Sequence, residues 1–121
     1  MRAALIALML TFASQAVADC GKLCDDEWWK TATTADLQAE LSGGADVMAR
    51  NKYGTTPLHS AAGSFVKSAN AASANIQALL AAGANGKAKD KEGKTPWDLA
   101  QENENLEGTK GYWALNDAQY K

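Results

Sequence analysis

Apolar side chains follow a helical spacing in the middle of the chain. Within residues 58–62, leucine and alanine fall at positions i, i+3 and i+4, and isoleucine and leucine repeat this spacing within residues 76–80. Residues with this spacing share one face of an α-helix, so both segments are predicted to be amphipathic helices. The core residues expected here are Leu58, Ala61, Ala62, Ile76, Leu79 and Leu80.

Polar, glycine-containing segments flank these helices, and two of the segments correspond. Residues 83–96 repeat the landmarks of residues 44–57 at one fixed offset of 39 (Gly44 to Gly83). In each segment the first glycine suits a helix end and the second a tight turn. The Thr-Pro pair that follows suits a helix start, with threonine as N-cap and proline at the first helical position. A fixed period of this size predicts stacked helix–turn–helix units.

Two strings in these segments carry a family resemblance. Residues 54–62 (Gly-Thr-Thr-Pro-Leu-His-Ser-Ala-Ala) and 79–85 (Leu-Leu-Ala-Ala-Gly-Ala-Asn) together resemble an ankyrin repeat, and residues 93–100 resemble one less fully. The resemblance implies an all-α fold, a solenoid of about three stacked repeats with β-turn fingers between them and degenerate caps at both ends. Ankyrin repeats usually have about 33 residues, so extra length is expected between Ala62 and Ser73.

The N-terminal segment, residues 1–18, is predicted to be a secretory signal peptide. It has a positive charge at Arg2, an apolar core over residues 3–13 and a small-x-small cleavage site at residues 16–18. The alternative is a transmembrane anchor, which would need an apolar run of about 20 residues. Export predicts a periplasmic protein, with outright secretion as the alternative.

The rest of the chain, residues 19–121, is expected to form one ankyrin-repeat domain. The division follows the offset of 39 residues. A degenerate N-terminal repeat is expected at about 25–49, a full repeat with an inter-helix insert at 50–88, and a C-terminal capping repeat at 89–121. Terminal repeats are atypical because their outer side is not covered by a neighbour.

The offset of 39 residues also predicts a helix start in the N-terminal repeat and a corresponding one in the full repeat. Thr34 and Ser73 are equivalent at the same offset and are expected to be N-caps. The tryptophan pair at residues 28–29 is expected to place one ring in the core, although the pair could instead be a binding patch.

For two other apolar groups, the sequence allows two orientations of the side chains. Residues 112–120 predict a closing helix, with Tyr112 or Trp113 directed inward beside Leu115. The Phe-Val pair at residues 65–66 either extends the preceding helix or presents an apolar tip to a partner.

Candidate chemistry is sparse. Cys20 and Cys24 are the two cysteines, and export would place them in an oxidising compartment, so a disulfide between them is expected. A metal site would need two more ligands, and a redox pair usually has Cys-x-x-Cys spacing. His59 is the one histidine; the sequence offers it no nucleophile or acid partner, and the resemblance implies a structural role. No catalytic residue, metal or cofactor is expected, and therefore no enzyme.

Charge is distributed unevenly along a chain whose net charge is −2. Basic side chains concentrate at residues 47–55 and 85–94, and acidic ones at residues 19–40 and 98–107. Either the basic turns steer an acidic protein surface toward them, or the lysines only solvate exposed turns. Nucleic acid is not an expected partner, because the chain is acidic overall and exported.

The ankyrin resemblance implies partner binding through the turn tips and the exposed side of each first helix. Position by position, these residues are Lys52, Tyr53, Thr55, Ser60, Lys91, Glu92, Lys94 and Leu99, with Arg50, Lys87 and Lys89 beside them. The expected function is an exported interaction module that docks on another extracytoplasmic protein, as an accessory or immunity-type partner. It is expected to be monomeric when unbound and to have no stable membrane insertion after signal cleavage. The alternatives are an envelope structural or stress protein without a single tight partner, and a redox or metal protein that uses Cys20 and Cys24.

Overall fold

The computed structural model describes residues 21–63 and 68–120, and within these ranges the chain is all-helical, without a β-strand. A short 3₁₀ helix at Gly21–Cys24 precedes the α-helices. In chain order the described helices are α1 (Asp26–Thr31), α2 (Thr34–Ser42), α3 (Pro57–Ala62), α4 (Ala69–Ala81), α5 (Pro96–Gln101) and α6 (Lys110–Ala118). The prediction of an all-α fold is confirmed. The proposed signal peptide, Cys20 and the Phe-Val pair at residues 65–66 lie outside the described residues.

The Thr-Pro pairs begin helices α3 and α5, as predicted. Thr56 caps α3 and its hydroxyl accepts from the His59 N–H, while the His59 ring returns a bond to the Thr56 N–H. Thr95 and Asp98 make the equivalent reciprocal pair at α5. Each pair satisfies two of the backbone donors that a helix start leaves open, and a cap of this kind stabilises a helix by about 1 kcal/mol.

Two predicted N-caps are wrong. Thr33, not Thr34, caps α2, because its hydroxyl accepts from the Asp36 N–H and the Asp36 carboxylate bonds back to the Thr33 N–H. Ser68 caps α4, and Ser73 lies inside that helix. The alanine-rich residues 69–72 favour helix, so part of the expected insert extends α4 instead of forming a loop.

Glycines in the left-handed region shape both corresponding turns, as predicted. Gly44 and Gly83 follow α2 and α4 with φ of 96° and 101°, and Gly54 and Gly93 have φ of 74° and 81°. Side chains with a Cβ are strained in this region, which explains the glycines. The turns also share their hydrogen bonds: an Asn51 or Asp90 side chain accepts from the backbone of its own turn.

Helices α3 and α4 pack on each other, as do α5 and α6; we call these the second and third pairs, and the preceding α1 and α2 the first pair. Helix α3 contacts both α1 and α5, and helix α4 contacts both α2 and α6. Of the predicted core residues, Leu80 is only partly buried, whereas Leu58, Ala61, Ala62, Ile76 and Leu79 are fully buried. Among the described helices, none has both the length and the apolarity to cross a bilayer.

The burial of the aromatic side chains shows which of them point into the core. Trp29 is fully buried and Trp28 partly buried, which confirms that one ring of this pair enters the core. Leu115 is buried and Tyr112 half-buried, whereas Trp113 is 53% exposed. Tyr112 is therefore the aromatic residue that turns inward in α6.

Candidate interaction surface

The two corresponding turns lie side by side and are bonded to each other. We refer to residues 50–55 and 89–94 together as the turn ridge. The Lys91 N–H donates to the Tyr53 carbonyl at 3.1 Å. The Arg50 guanidinium donates to the Gly54 carbonyl at 2.9 Å and to the Lys89 carbonyl at 2.7 Å, so it bridges the two turns. Arg50 was predicted to contact a partner. In the structure its guanidinium instead makes hydrogen bonds within the ridge.

His59 connects the second helix pair to the next turn. Its Nε2 lies 2.8 Å from the Lys94 carbonyl, which can only accept, so Nε2 carries the proton and donates. Its Nδ1 then accepts from the Thr56 N–H at 3.1 Å. Burial lowers the pKa of the ring below 6.5, against an opposing effect of the Lys94 carbonyl. The imidazole is thus held neutral, and both its nitrogens are occupied by structural hydrogen bonds.

Gly54 allows the two turns to approach closely. A Cβ at this position would lie 3.1 Å from the Lys91 nitrogen and 3.3 Å from the Asp90 Cα, both backbone atoms. Together with the positive φ of Gly54, this contact leaves no room for a larger residue.

The exposed part of the ridge is smaller than the predicted set of contact residues. Tyr53 is 62% exposed, and the Lys52 ammonium lies 5.3 Å from the centre of its ring, within the range of a cation–π contact. Lys91 and Glu92 are also exposed, as is Lys89. Thr55 and Lys94 are half-buried, and the Lys94 ammonium pairs with Glu102 at 3.2 Å.

Ser60 was expected on an exposed helix side, and that expectation is wrong. Only 1% of Ser60 is exposed. Every residue of α3 is buried, because the helix lies between α1 and α5 and also contacts α4 and the 3₁₀ helix. Ser60 is therefore inaccessible to a partner in this structure.

A surface depression of about 360 Å³ lies between α1 and the ridge. Its lining residues are Asp26, Asn51, Tyr53, Thr55, Asp90, Lys91 and Glu92. The pKa of the Asp26 carboxyl is raised by partial burial and by the neighbouring Asp25 and Glu27 charges. Three carboxylates and one lysine, Lys91, thus line the depression.

Asp26 is the site residue that sequence reasoning missed. It belongs to the first helix, and the packing of α1 against α3 brings it to the ridge. A sequence pattern that marks turns by their glycines and Thr-Pro pairs contains no signal for this long-range neighbour.

The cysteine prediction remains open. Cys24 ends the 3₁₀ helix, is half-buried and is not a free thiol. The pairing with Cys20 stays a prediction, since Cys20 lies outside the described residues. Over residues 21–63 and 68–120, no group of three or more His, Cys, Asp or Glu side chains is placed to hold a metal ion.

Comparison of the chain with models of protein families gives no match, and comparison with curated proteins gives none either.

Proposed function

We propose that this chain is an exported interaction module that binds another extracytoplasmic protein through the turn ridge, as an accessory or immunity-type partner. One observation carries the proposal: backbone-directed bonds from Arg50 and Lys91 lock the two turns together, and an exposed tyrosine projects from them. Rigid, aromatic-bearing surfaces bind well because less conformational entropy is lost on association.

The proposal includes an ankyrin-type architecture. Its support is the correspondence between the two turns at the offset of 39 residues. The Asn51 N–H bonds to the Thr55 carbonyl at 3.1 Å, and the Asp90 N–H bonds to the Lys94 carbonyl at 2.9 Å. Equivalent bonds, equivalent left-handed glycines and equivalent Thr-Pro starts favour one repeated unit over two unrelated turns.

Tyr53 is the residue from which we expect the largest contribution to binding. Tyrosine is enriched among the few residues that carry most of the binding energy of an interface. The backbone carbonyl of Tyr53 accepts the bond from Lys91, so its position is fixed before a partner arrives. Lys52 restricts the ring further by lying over it.

The charge pattern constrains the partner. Lys52, Lys89 and Lys91 are exposed on the ridge and favour an acidic rim on the partner. Opposite the depression, where Asp26 and Glu92 lie, the partner is expected to present an uncharged or basic side chain. A uniformly acidic partner surface would fit the ridge less well than this mixed one.

The test begins with capture of proteins from the extracytoplasmic fraction on tagged residues 19–121, followed by affinity measurements with the purified partner. Tyr53→Ala is expected to weaken binding at least tenfold, which corresponds to about 1.4 kcal/mol. Lys91→Glu is expected to weaken binding and to reduce its dependence on salt. The matched control is Lys110→Glu, because Lys110 is another exposed lysine and lies outside the ridge. A captured partner whose affinity is the same for all three variants would contradict the proposal.

A further inference from the structure

Three aromatic rings form a contiguous cluster on the last helix pair. The ring centres of Trp97 and Tyr112 are 4.7 Å apart, those of Tyr112 and Trp113 are 5.0 Å apart, and those of Trp97 and Trp113 are 6.4 Å apart. Trp97 belongs to α5 and the other two residues to α6, so the cluster joins both helices. We call these three residues the aromatic end surface.

Trp113 is the outward-facing member of this surface, whereas Trp97 and Tyr112 are partly buried and pack against the core. Gly111 and Leu115 are buried, and the Gly111 N–H bonds to the Ser73 side chain of α4. Trp113 follows Gly111 by two residues, which places it about 200° around the helix from the side that packs on α4. Its indole is accordingly 53% exposed. The outer face of the last pair therefore carries a large aromatic residue where a terminal unit normally has polar side chains.

The sequence segment that holds these three rings is rich in carboxylates. Residues 97–118 contain five carboxylates, namely Asp98, Glu102, Glu104, Glu107 and Asp117, against one lysine, Lys110. Lys94 neutralises Glu102 in part, and the exposed Glu104, Glu107 and Asp117 remain. The net charge of this segment is therefore opposite in sign to the lysines of the turn ridge.

We propose that the aromatic end surface is a second docking site, which binds an arginine- or lysine-rich segment of a partner protein. Tryptophan is the best aromatic acceptor for a cation, and a guanidinium also stacks on its face. The carboxylates attract such a segment over a longer range, while the lysines of the ridge repel it. The proposal is independent of the function assigned to the turn ridge.

The test uses an acetylated, amidated hexa-arginine peptide and the indole N–H resonances of the four tryptophans. Saturable shifts are expected for Trp97 and Trp113. The internal control is the pair Trp28 and Trp29, which lies at an end of the molecule that is also acidic. Equal shifts at Trp28 would mean unspecific attraction to acidic surface and would overturn the proposal.

Two variants separate the contribution of the Trp113 ring to peptide affinity from that of the surrounding charge. Trp113→Ala is expected to reduce peptide affinity at least tenfold without loss of helical circular dichroism, since Trp113 is half-exposed. Tyr120→Ala is the matched control, as Tyr120 is 78% exposed near the same end, and it is expected to keep the affinity. Tyr53→Ala on the ridge should also keep it.

Other occupants would give different results, each of which overturns the proposal. A hexasaccharide of N-acetylglucosamine that shifts Trp113 when hexa-arginine does not would indicate a glycan site. Self-association that rises with concentration and disappears in Trp113→Ala would indicate a contact between copies. Unchanged peptide affinity in Trp113→Ala would show that the aromatic end surface does not bind the peptide.

Discussion

The second helix pair, α3 and α4, packs against the third pair on one side and against the first pair on the other. We call these two interfaces junctions, and they differ in their hydrogen bonds. On the side of α5 and α6, polar groups meet across the junction with short bonds. The Asn103 amide donates to the Ala62 carbonyl at 3.2 Å and to the Gly63 carbonyl at 2.7 Å, and the Gly111 N–H donates to Ser73 Oγ at 2.7 Å. The His59 and Arg50 bonds described above belong to the same junction.

The junction with the first pair has one side-chain hydrogen bond and also a buried amide nitrogen that lacks a partner. The Thr34 hydroxyl donates to Asn75 Oδ1 at 3.1 Å. The Nδ2 of the same Asn75 side chain is buried and finds no hydrogen-bond partner among the residues that the structure describes. Buried polar groups that lack a partner cost about 1–3 kcal/mol each.

The difference shows how the fold supports its candidate interaction surface. The turn ridge spans the junction between the second and third pairs, where hydrogen bonds are plentiful. The first pair, which contributes Asp26 to the edge of the depression, rests on the weaker junction. Proteins open locally where fewer interactions hold a segment, so we expect the first pair to open before the ridge does.

The largest effect is expected from filling the close approach at Gly111. A Cβ at this position would lie 2.7 Å from the Ser73 Cα and 2.8 Å from the Ser73 carbonyl oxygen, so α4 and α6 must separate. Gly111→Val should lower the free energy of unfolding by about 3 kcal/mol, measured by urea denaturation. Gly43→Ala is the control, because a Cβ there meets backbone oxygens only at 3.5 Å. Equal effects of the two changes would show that the junction is not tightly packed.

Asn103→Ala comes next, since it removes two hydrogen bonds from the same junction. The Ala62 and Gly63 carbonyls would lose their Asn103 donor, and the expected cost is about 2 kcal/mol in the free energy of unfolding. Asn105→Ala is the matched control, because Asn105 is exposed and only its backbone N–H is bonded. A cost below that of Asn105→Ala would contradict the account of this junction.

His59 should make the same junction sensitive to pH. Its pKa is lowered in the folded protein, so below about pH 6.5 the unfolded chain binds a proton that the folded protein resists. Stability is therefore fully present above that pH and declines as the pH falls through it, with a slope of at most about 1.4 kcal/mol per pH unit. His59→Gln should lose this part of the slope below pH 6.5. Identical pH profiles for the two proteins would exclude His59 as the source.

The smallest effect is expected at the weaker junction. Thr34→Val removes one side-chain hydrogen bond to Asn75, whose Nδ2 already lacks a partner, so its cost should stay below about 1 kcal/mol. Hydrogen exchange should become faster in α2 and stay unchanged in α6. A cost equal to that of Asn103→Ala would mean that the two junctions are equivalent.

Local features of this fold could be predicted from sequence because they depend on neighbours in the chain. The glycines at 54 and 93 and the Thr-Pro starts each satisfy a backbone requirement within a few residues. The burial of Ser60 could not be predicted, since it depends on helices and a 3₁₀ helix that surround α3. The same holds for Asp26 beside the ridge and for the outward direction of Trp113, which follow from packing between distant segments. The expected cap at Ser73 failed because a run of alanines can extend a helix past a good capping residue.

Native-state hydrogen exchange would test the central claim most directly, namely that the turn ridge is a rigid surface built on the stronger junction. The amides to compare are those of Lys91 and Gly111, which cross that junction, with those of α2. The junction amides are expected to exchange only through openings close to global unfolding, and those of α2 through an opening whose free energy is smaller by at least about 1 kcal/mol. If α2 is protected as strongly as Lys91, or more strongly, the ridge has no special rigidity and the account is contradicted.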